Sequence, residues 1–433
     1  MHARFLHFAD CHLGYRQYNH TERANDFARA FFSVIEVAIR EQVDFVILAG
    51  DLFQKRAIDA LTLNQAVKGL ERLRTAGIPC IAVEGNHELA YFGDQIGWVR
   101  FLALNDLLIL LNPKIEEGEF QLKPYAQREG AYVEPLPGLR IYGLGYKGSS
   151  TAVAVEKYAE ALARQPKDGI DYTIFIAHAG VEEALPEQGG GLSLRQWSVL
   201  RPHVDYLALG HVHKPFAYDD WIFNPGSTET CSIAETEWED RGYYLVEIDT
   251  DHPQNENSET PIKHRSALHS NPRRRFHRVV VKTDLLTSPD HLLDHCRQLF
   301  QRKARDFGVN RLDERQRPVV ELLLTGMLPF ERSALNLNAL ETLIEEHFQP
   351  LLPLVKNLTH APGVVVESSE TLSRLELEKQ VLTTIFNQDT RFREQSEAWT
   401  HATLAIKKLA LINADPAAIL EELDSLIASG AEG

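Results

Sequence analysis

The sequence predicts an α/β protein with a layered first domain, a small α+β domain and a helical C-terminal tail. Residues 1 to about 248 alternate short apolar strands with amphipathic helices, a pattern typical of layered α/β domains. The segment 251–261 is polar and rich in turn-forming residues, and strand and helix patterns resume after it. We therefore expect a first domain at 1–250, a linker at 251–261, an α+β domain at 262–356 and a helical tail at 357–433.

Six short runs predict the strands of the first domain, because they are apolar, rich in β-branched or aromatic residues, and end beside Gly, His or Asp. In chain order they are FLHFA at 5–9, DFVILAG at 44–50, IPCIAVEG at 78–85, LRIYGLG at 139–145, YTIFIAH at 172–178 and DYLALGH at 205–211. A helix is predicted between the first two strands, where Phe27, Phe31, Val34, Ile35 and Ala38 recur at helical spacing. A second helix is predicted at about 60–76, because a glycine and a proline follow it.

The second domain and the tail have their own patterns. FHRVVVKTD at 276–284 and PVVELLLTG at 318–326 predict strands, and helices are expected at about 290–306 and 337–349. From about residue 370 the pattern is helical. Near the C-terminus a cap at Asp415, a first-turn Pro416 and an apolar stripe predict a terminal helix; the stripe is Ile419, Leu420, Leu423, Leu426 and Ile427. This helix either packs on its own protein or docks a partner, and the sequence leaves both open.

Composition excludes several classes of protein. The 433 residues are 44% hydrophobic and 24% charged, which is typical of a folded globular protein and not of a disordered or fibrous one. No run approaches the ~18 apolar residues of a membrane helix, and the N-terminus lacks the charged and apolar pattern of a signal peptide. We therefore expect a cytoplasmic protein that does not associate with a membrane. Four cysteines lie far apart with no CxxC pair: Cys11, Cys80, Cys231 and Cys296. This spacing weighs against a disulfide framework and against a thiolate zinc site, so a metal would use other ligands.

The charge is unevenly distributed along the chain. A net charge of −16 repels a polyanion at long range, yet residues 262–317 carry 14 Lys or Arg against 6 Asp or Glu. The densest basic cluster is Arg273, Arg274, Arg275 and Arg278. Such clusters mark surfaces that follow a phosphate backbone, and we predict DNA contacts here. A solvated strand edge and helix face explains the same cluster equally well.

Potential metal ligands recur where five of the predicted strands end. They are Asp10 and His12 in ADCH, Asp51 in LAGDLF, Asn86 (followed by His87) in EGNHE, His178 in IAHAG, and His211 with His213 in LGHVH. Ligands of open α/β sheets bind at the C-terminal ends of the strands. One such residue alone is usually an ordinary core or surface side chain. All of them together, in one domain and with only carboxylate, carboxamide and imidazole donors, predict a metal centre.

The order D-x-H, GD, GNHE, H and GHxH resembles the calcineurin-like metallophosphoesterase superfamily. Within it, ADCHLGYRQYN, AGDLF and NPGSTE at 224–229 resemble the nuclease subunit of the SbcC/SbcD complex, related to the meiotic-recombination-eleven nucleases. The resemblance covers roughly residues 1–345 and is thinner beyond them. It implies a four-layer metallophosphoesterase fold, with two mixed sheets flanked by helices, and then a capping domain.

The resemblance implies a centre of two divalent ions, and Mn²⁺ is the ion that it leads us to expect. One ion would be bound by Asp10, His12, Asp51 and His213, and the other by Asp51, Asn86, His178 and His211. Asp51 would bridge them, since one carboxylate can span ions about 3.5–4 Å apart. The two aspartates would leave the ions a charge of about +2, which suits a hydroxide and an anionic diester. The implied mechanism is in-line attack on phosphorus by a hydroxide that the two metals activate, with His87 as the general acid.

Some residues depart from the family pattern or have two interpretations. Cys11 occupies the variable position of D-x-H, and we expect it to point into the core, with a role in oxidation sensitivity left open. After GDLF the sequence is QKRAIDA, which puts substrate contacts from that loop in doubt. Tyr15, Arg16 and Tyr18 are candidate DNA contacts, although an ordered surface loop explains them as well.

The leading hypothesis is an Mn²⁺-dependent DNA exonuclease and endonuclease that acts on double-strand ends in break repair, with an SbcC-type coiled-coil ATPase docked on the tail. A homodimer is also expected from the resemblance, although residues 92–104 have only a moderate apolar stripe. The alternatives are a phosphodiesterase for small or cyclic nucleotides and an inactive DNA-binding scaffold. A phosphoprotein phosphatase is disfavoured because GDLFQKR replaces GDxVDRG. The sequence leaves open the polarity of digestion, a preference for hairpins, gating by ATP and the native metal.

Overall fold

The computed structural model describes residues 1–91, 93–184, 191–254, 261–308, 316–360, 374–388, 391–411, 417 and 419–420. The chain divides into two compact units, Met1–His277 with Asp313–Val319, and Arg278–Leu312 with Val320–Gly433. None of the helices in the described part of the chain combines the length and the apolar character that a membrane span requires.

Two six-stranded sheets form the centre of the first unit. The first sheet has the order β14 (His264–Ser270), β13 (Gly242–Asp249), β1 (His2–Phe8), β2 (Phe45–Leu48), β3 (Cys80–Ala82) and β4 (Ile109–Leu110). The second has the order β11 (Phe216–Tyr218), β12 (Ile222–Asn224), β10 (Tyr206–Gly210), β9 (Tyr172–His178), β8 (Leu139–Leu144) and β7 (Tyr132–Leu136). A separate pair of strands is β5 (Lys114–Glu116) and β6 (Glu119–Gln121).

Both sheets are mixed, with parallel strands at their centres. In the first sheet β1 to β4 are parallel, and β13 and β14 add antiparallel strands beyond β1. In the second sheet β8, β9, β10 and β12 are parallel, and β7 and β11 are antiparallel edges. The parallel strands of each sheet therefore end at the same edge of that sheet, where binding sites form.

Helices cover the outer faces of the two sheets. α1 (Thr21–Arg40), α2 (Ala60–Thr75) and α3 (Trp98–Leu104) share an apolar cluster with the first sheet, and α4 (Thr151–Ala163) and α5 (Leu194–Trp197) share one with the second. A third cluster lies between the sheets and includes Phe5, Ile47 and Ile81 of the first and Ile174, Ile176 and Ala208 of the second. The order of layers is helix, sheet, sheet, helix, as the resemblance implied.

Local sequence explains where the first helices begin. The ring of His20 accepts a hydrogen bond from the amide of Glu22 at 3.2 Å and caps α1. The carboxylate of Asp59 accepts from the amide of Thr62 at 2.8 Å and caps α2. These bonds satisfy amides that have no partner within the helix.

The second unit is a small α+β unit with a pair of tail helices. Its sheet has the order β15 (Phe276–Lys282), β16 (Val319–Thr325) and β17 (Leu352–Asn357), and α6 (Pro289–Asp306) and α7 (Leu337–Phe348) share its core. The tail contains α8 (Arg374–Gln388) and α9 (Ser396–Leu411). The rings of Phe386 and Trp399 lie 6.4 Å apart, so these two helices pack on each other.

The strands and helices predicted at 5–350 are confirmed, with ends shifted by a few residues. The helical character of the tail is confirmed where it is described, but Asp415, Pro416, Leu423, Leu426 and Ile427 lie outside the described residues. Residues 262–277 belong by contacts to the first unit, because β14 pairs along β13. The domain boundaries and the linker at 251–261 stay predictions. Residues 255–260 of that linker lie outside the described residues.

Candidate metal centre

Backbone hydrogen bonds join the loops that follow β1 and β2. The amide of Asp10 donates to the carbonyl of Gly50 at 3.1 Å. The amides of Cys11 and His12 both donate to the carbonyl of Asp51, at 2.9 and 3.0 Å. Asn86 lies just beyond β3, the next strand of the same sheet. The predicted ligands of the first sheet therefore lie side by side.

The ligands of the second sheet reach the same place. His178 is the last residue of β9, and His211 and His213 follow β10. The amide of His211 donates to both carboxylate oxygens of Asp10, at 3.2 and 3.0 Å. This contact ties the loop after β10 to the loop after β1, so the ends of both sheets form one site.

Four of the predicted ligands have a left-handed backbone. Their φ angles are 54° at Asp10, 47° at His12, 53° at Asp51 and 84° at His211. Residues other than glycine rarely adopt this conformation, which costs about 1–3 kcal/mol each and is concentrated at functional sites. The hydrogen bonds between the loops hold these residues in place.

Two glycines leave room for the ligands. A Cβ atom on Gly85 would lie 2.1 Å from Asp51 Oδ1, and one on Gly50, whose φ is +89°, would lie 2.3 Å from His178 Nδ1. Any side chain at either position would displace a predicted ligand. This explains the glycines that precede Asp51 and Asn86 in the two motifs.

One group of ligand atoms surrounds His12. Its Nε2 lies 3.0 Å from Nε2 of His213, 3.9 Å from Oδ1 of Asp10 and 4.0 Å from Oδ2 of Asp51. Asp10, His12 and Asp51 are at most 1% exposed. The four residues predicted to bind the first ion are therefore together.

A second group surrounds Asn86. Its Oδ1 lies 3.1 Å from His178 Nε2 and 2.9 Å from His211 Nδ1. His178 Nε2 is also 3.2 Å from Oδ2 of Asp51. Asp51 thus contributes to both groups, as a bridging carboxylate must.

Hydrogen bonds fix the orientation of three imidazoles. Nδ1 of His178 donates to the carbonyl of Ala49 at 2.7 Å, and Nδ1 of His87 donates to the carbonyl of Gln54 at 2.9 Å. Nδ1 of His213 lies 2.8 Å from the carboxylate of Glu235. A neutral ring that donates through Nδ1 has its lone pair on Nε2, and such contacts are typical of metal-binding histidines.

The donor set fits divalent metal ions. Imidazole, carboxylate and carboxamide donors suit borderline and hard cations. Ligand atoms of His12, Asp51 and His87 lie within 4.8 Å of one another, and so do those of Asp51, His178 and His211. Nδ1 of His12 is buried without a hydrogen-bond partner in the described structure. Opposed imidazole nitrogens beside two buried carboxylates are most simply explained by a cation between them.

Comparison with known proteins agrees with this geometry. Residues 3–215 match the family described as calcineurin-like phosphoesterase. The chain contains a calcineurin-like phosphoesterase domain. This family uses a centre of two divalent metal ions, and we assign the chain to the hydrolases that act on phosphate esters.

Relatives of the calcineurin-like domain include two archaeal proteins named DNA double-strand break repair protein Mre11. The one from Saccharolobus solfataricus is 27% identical over 344 residues, which cover 77% of this chain and 81% of that protein. The one from Archaeoglobus fulgidus is 30% identical over 245 residues, or 54% of this chain and 51% of that protein. A crystal structure of the calcineurin-like phosphoesterase YfkN from Bacillus subtilis has a TM-score of 0.37 at 15% identity, covering 62% of this chain and 90% of that one. That value is too low to add to the fold assignment.

Burial and neighbouring charges shift the pKa values in the phosphoesterase centre. Burial would raise the pKa of Asp51, but the imidazoles of His178, His12 and His87 hold it well below its usual value. Burial raises the pKa of Asp10 to about 6. The pKa of His178 rises to about 9, because Asp51 outweighs the effect of burial. The site therefore favours cations strongly around Asp51.

Three residues near the phosphoesterase centre were missed by the sequence analysis. Glu235 contacts His213, Glu88 accepts from the amides of Phe53 and Gly85, and Cys231 lies beside His12 and His213. Burial raises the pKa of Glu88 to about 8. Glu88 was visible as the last letter of GNHE, but nothing in the spacing marks Glu235 or Cys231. Cys11 is fully buried among apolar residues, as predicted.

The candidate DNA contacts differ in their exposure and in whether their side chains already contact other protein groups. Arg275 is exposed and its side chain has no hydrogen-bond or ion-pair partner in the described structure, whereas Arg16 is exposed and 3.3 Å from Asp59. Tyr15 packs on Phe27, and Tyr18 is 42% exposed. The cluster of arginines is thus not one continuous free surface.

Three arginines of that cluster have protein groups as partners. Arg274 is 8% exposed, and its guanidinium binds both oxygens of Asp26 and the carbonyl of Arg317. We withdraw Arg274 from the predicted DNA contacts, because its donors are used inside the first unit. Arg273 donates to backbone carbonyls, and burial lowers its pKa to about 10. In the second unit, Arg278 lies 2.6 Å from Glu321.

Proposed function

We propose that the chain is a metal-dependent DNA nuclease that hydrolyses phosphodiester bonds in DNA double-strand break repair. The observation that carries this proposal is the convergence of seven predicted ligands and His87 at the ends of two sheets in a phosphoesterase domain. The relatives named as double-strand break repair proteins support DNA as the substrate.

The proposed ligands form two sets that share Asp51. The first set is Asp10, His12, Asp51 and His213, and the second is Asp51, Asn86, His178 and His211. When bound, two divalent ions would lower the pKa of a water nucleophile and stabilise negative charge on the phosphate. We propose Mn²⁺ as an ion that supports activity, since mixed nitrogen and oxygen ligation accepts it.

We propose that His87 protonates the leaving oxygen. Its Nδ1 donates to the carbonyl of Gln54 at 2.9 Å, which fixes the ring. Its Nε2 lies 4.0 Å from Asp51 Oδ2, and the side chain is 34% exposed. The ring is thus near the proposed ions without being enclosed by protein, so it can meet a sugar oxygen that leaves toward solvent.

DNA contacts and partners complete the proposal. Tyr15, Arg16 and Tyr18 lie on the loop that carries Asp10 and His12, so they are well placed to contact the sugar–phosphate backbone. We also propose an SbcC-type ATPase as the partner of the helical tail, a homodimer, and a cytoplasmic location. Action on hairpins as well as double-strand ends belongs to the same proposal.

The test is digestion of end-labelled duplex DNA by the full chain with Mn²⁺, beside Asp51→Asn, His87→Ser and a small phosphodiester substrate. We expect Asp51→Asn to lose both metal binding and cleavage. His87→Ser should keep bound Mn²⁺, measured by calorimetry, but lose roughly 10²–10⁴-fold in cleavage rate. Hydrolysis of the small diester with DNA intact, also after addition of an SbcC-type ATPase, would instead favour a nucleotide phosphodiesterase. Full activity of Asp51→Asn would refute the metal centre.

A further inference from the structure

Cys231 lies beside the first set of proposed ligands. One ligand atom each from His12, His213 and Cys231 lies within 4.8 Å of the other two. His12 is 1% exposed, its Nε2 is 3.0 Å from Nε2 of His213, and its Nδ1 has no partner in the described structure. The thiol is in hydrogen-bond contact with the imidazole of His213 and lies 3.7 Å from the carbonyl of Glu229. Three soft or borderline donors therefore converge beside the first set of ligands.

One buried carboxylate positions both His213 and Cys231. Glu235 Oε1 lies 2.8 Å from Nδ1 of His213, and its Oε2 accepts from the amide of Cys231 at 2.9 Å. Glu235 is 3% exposed, and Arg241 lies 3.2 Å from Oε2. The side chain of His213 and the backbone of Cys231 are thus fixed relative to each other by the same group, as in the outer shell of a metal site.

We propose that Cys231 is a further ligand of the first metal position and makes that position prefer a thiophilic ion, such as Zn²⁺ or Co²⁺, over Mn²⁺. The inference rests on the proposed metal centre and adds the selectivity of one of its positions. With Cys231, the first set would offer two imidazoles, two carboxylates and a thiolate, all of them donor types that zinc accepts, and thiolates select softer ions than carboxylates do. Mn²⁺ would then occupy the second position, which has no sulfur donor.

The binding step requires no oxidant. The thiol of Cys231 releases its proton to solvent as the bond from sulfur to metal forms, and the metal keeps its oxidation state. The second free thiol near the centre is Cys11, which is fully buried and belongs to the apolar core. Cys11 therefore offers the matched control.

The experiment is a Co²⁺ titration of the metal-free full chain, followed by absorption spectroscopy. Cobalt bound to a thiolate gives a charge-transfer band in the near ultraviolet, and cobalt in any low-symmetry site gives weaker bands in the visible. We expect both sets of bands in the wild-type chain and in Cys11→Ser. In Cys231→Ser and Cys231→Ala the ultraviolet band should be lost while the visible bands remain.

Other outcomes would separate this inference from the proposed function. Visible bands without an ultraviolet band in the wild-type chain, or an ultraviolet band that survives in Cys231→Ser, would overturn the ligand role and leave the metal centre intact. No cobalt binding at all by the wild-type chain would overturn both.

Competition between metals gives a second readout that does not depend on cleavage. Zn²⁺ affinity, measured by calorimetry, should fall at least about tenfold in Cys231→Ser, with a much smaller change for Mn²⁺. An equal change for both metals would contradict the proposed preference. The melting temperature of each variant, measured without metal, shows whether it has folded.

Discussion

At the scale of single residues, Glu235 determines how His213 presents its Nε2 to the proposed metal. We expect Glu235→Gln to lower metal affinity by about 10–100-fold, because the ring loses the carboxylate that orients it and increases its basicity. Calorimetry with Zn²⁺, the ion proposed for the first position, would measure the change. Glu237→Gln is the control, since Glu237 is exposed in the same short 3-10 helix, Ile233–Glu237. Equal affinities of the two variants would exclude the orienting role.

Single residues also show what the sequence could and could not predict about the site. Asp51 and His178 were predicted as ligands because they lie at the ends of apolar strands, and parallel strands of one sheet end at the same edge. Glu235 and Cys231 were missed because their contacts depend on how a loop folds back, which has no periodic signal. Arg274 was assigned to the surface from its charge alone. Only the three-dimensional structure places a buried carboxylate, Asp26, against it.

At the scale of elements, the ion pair of Asp26 holds α1 to the segment that contains Arg274. Both residues are buried, and the guanidinium of Arg274 binds both oxygens of Asp26. Burial would raise the pKa of Asp26, but Arg274, Arg23 and Arg29 hold it below its usual value. We expect Asp26→Asn to lower the free energy of unfolding by about 3–5 kcal/mol at neutral pH, because the buried guanidinium of Arg274 loses its bidentate partner and, among the described carboxylates, keeps only Glu22, 3.6 Å away.

The stabilisation that the Asp26 carboxylate provides should decrease as the pH falls. A carboxyl with a lowered folded-state pKa stabilises the fold above its unfolded pKa of about 3.9, and this stabilisation is lost as the pH falls through the folded pKa. The difference in free energy of unfolding between the wild type and Asp26→Asn should therefore become smaller at acidic pH. Glu36 lies on the same helix as Asp26, and its exposed ion pair with Arg72 joins α1 to α2. Glu36→Gln should lower the free energy of unfolding by no more than about 1 kcal/mol.

Urea unfolding followed by tryptophan fluorescence would measure these differences, because four of the five tryptophans lie in the first unit, Trp98, Trp197, Trp221 and Trp238. Equal losses in Asp26→Asn and Glu36→Gln would show that the buried pair has no special role.

Elements with strong periodicity were predictable and those that depend on neighbours were not. α1 and β9 have clear helical and apolar patterns, and their positions were predicted to within a few residues. β14, with the sequence HRSALHS, has no such pattern. It is a strand because β13 offers it a free edge, and the backbone pairing of His264–Ser270 overrides weak local preference.

At the scale of the whole molecule, the question is how a chain of net charge −16 binds a polyanion. Long-range repulsion must be overcome by local cations, so affinity should fall steeply with salt. Each phosphate neutralised on duplex DNA contributes about 0.9 to the slope of log K against log salt. Within the described part of the first unit, Arg275 is the member of the predicted cluster whose side-chain donors have no partner, whereas the guanidinium of Arg274 binds Asp26.

We therefore expect Arg275→Gln to reduce the steepness of that slope by about 0.9, because one phosphate contact is lost. Anisotropy of labelled duplex DNA over a range of salt concentrations, with chelator to prevent cleavage, would measure it. Arg128→Gln is the control, since Arg128 is exposed but paired with both oxygens of Asp106. A slope that Arg275→Gln leaves unchanged would remove the basic cluster of the first unit from the DNA surface. DNA binding would then depend on the Tyr15–Tyr18 loop and on the charge of the bound metals. The contribution of the metals would be measured by repeating the salt titration with Asp51→Asn in the presence of metal ions.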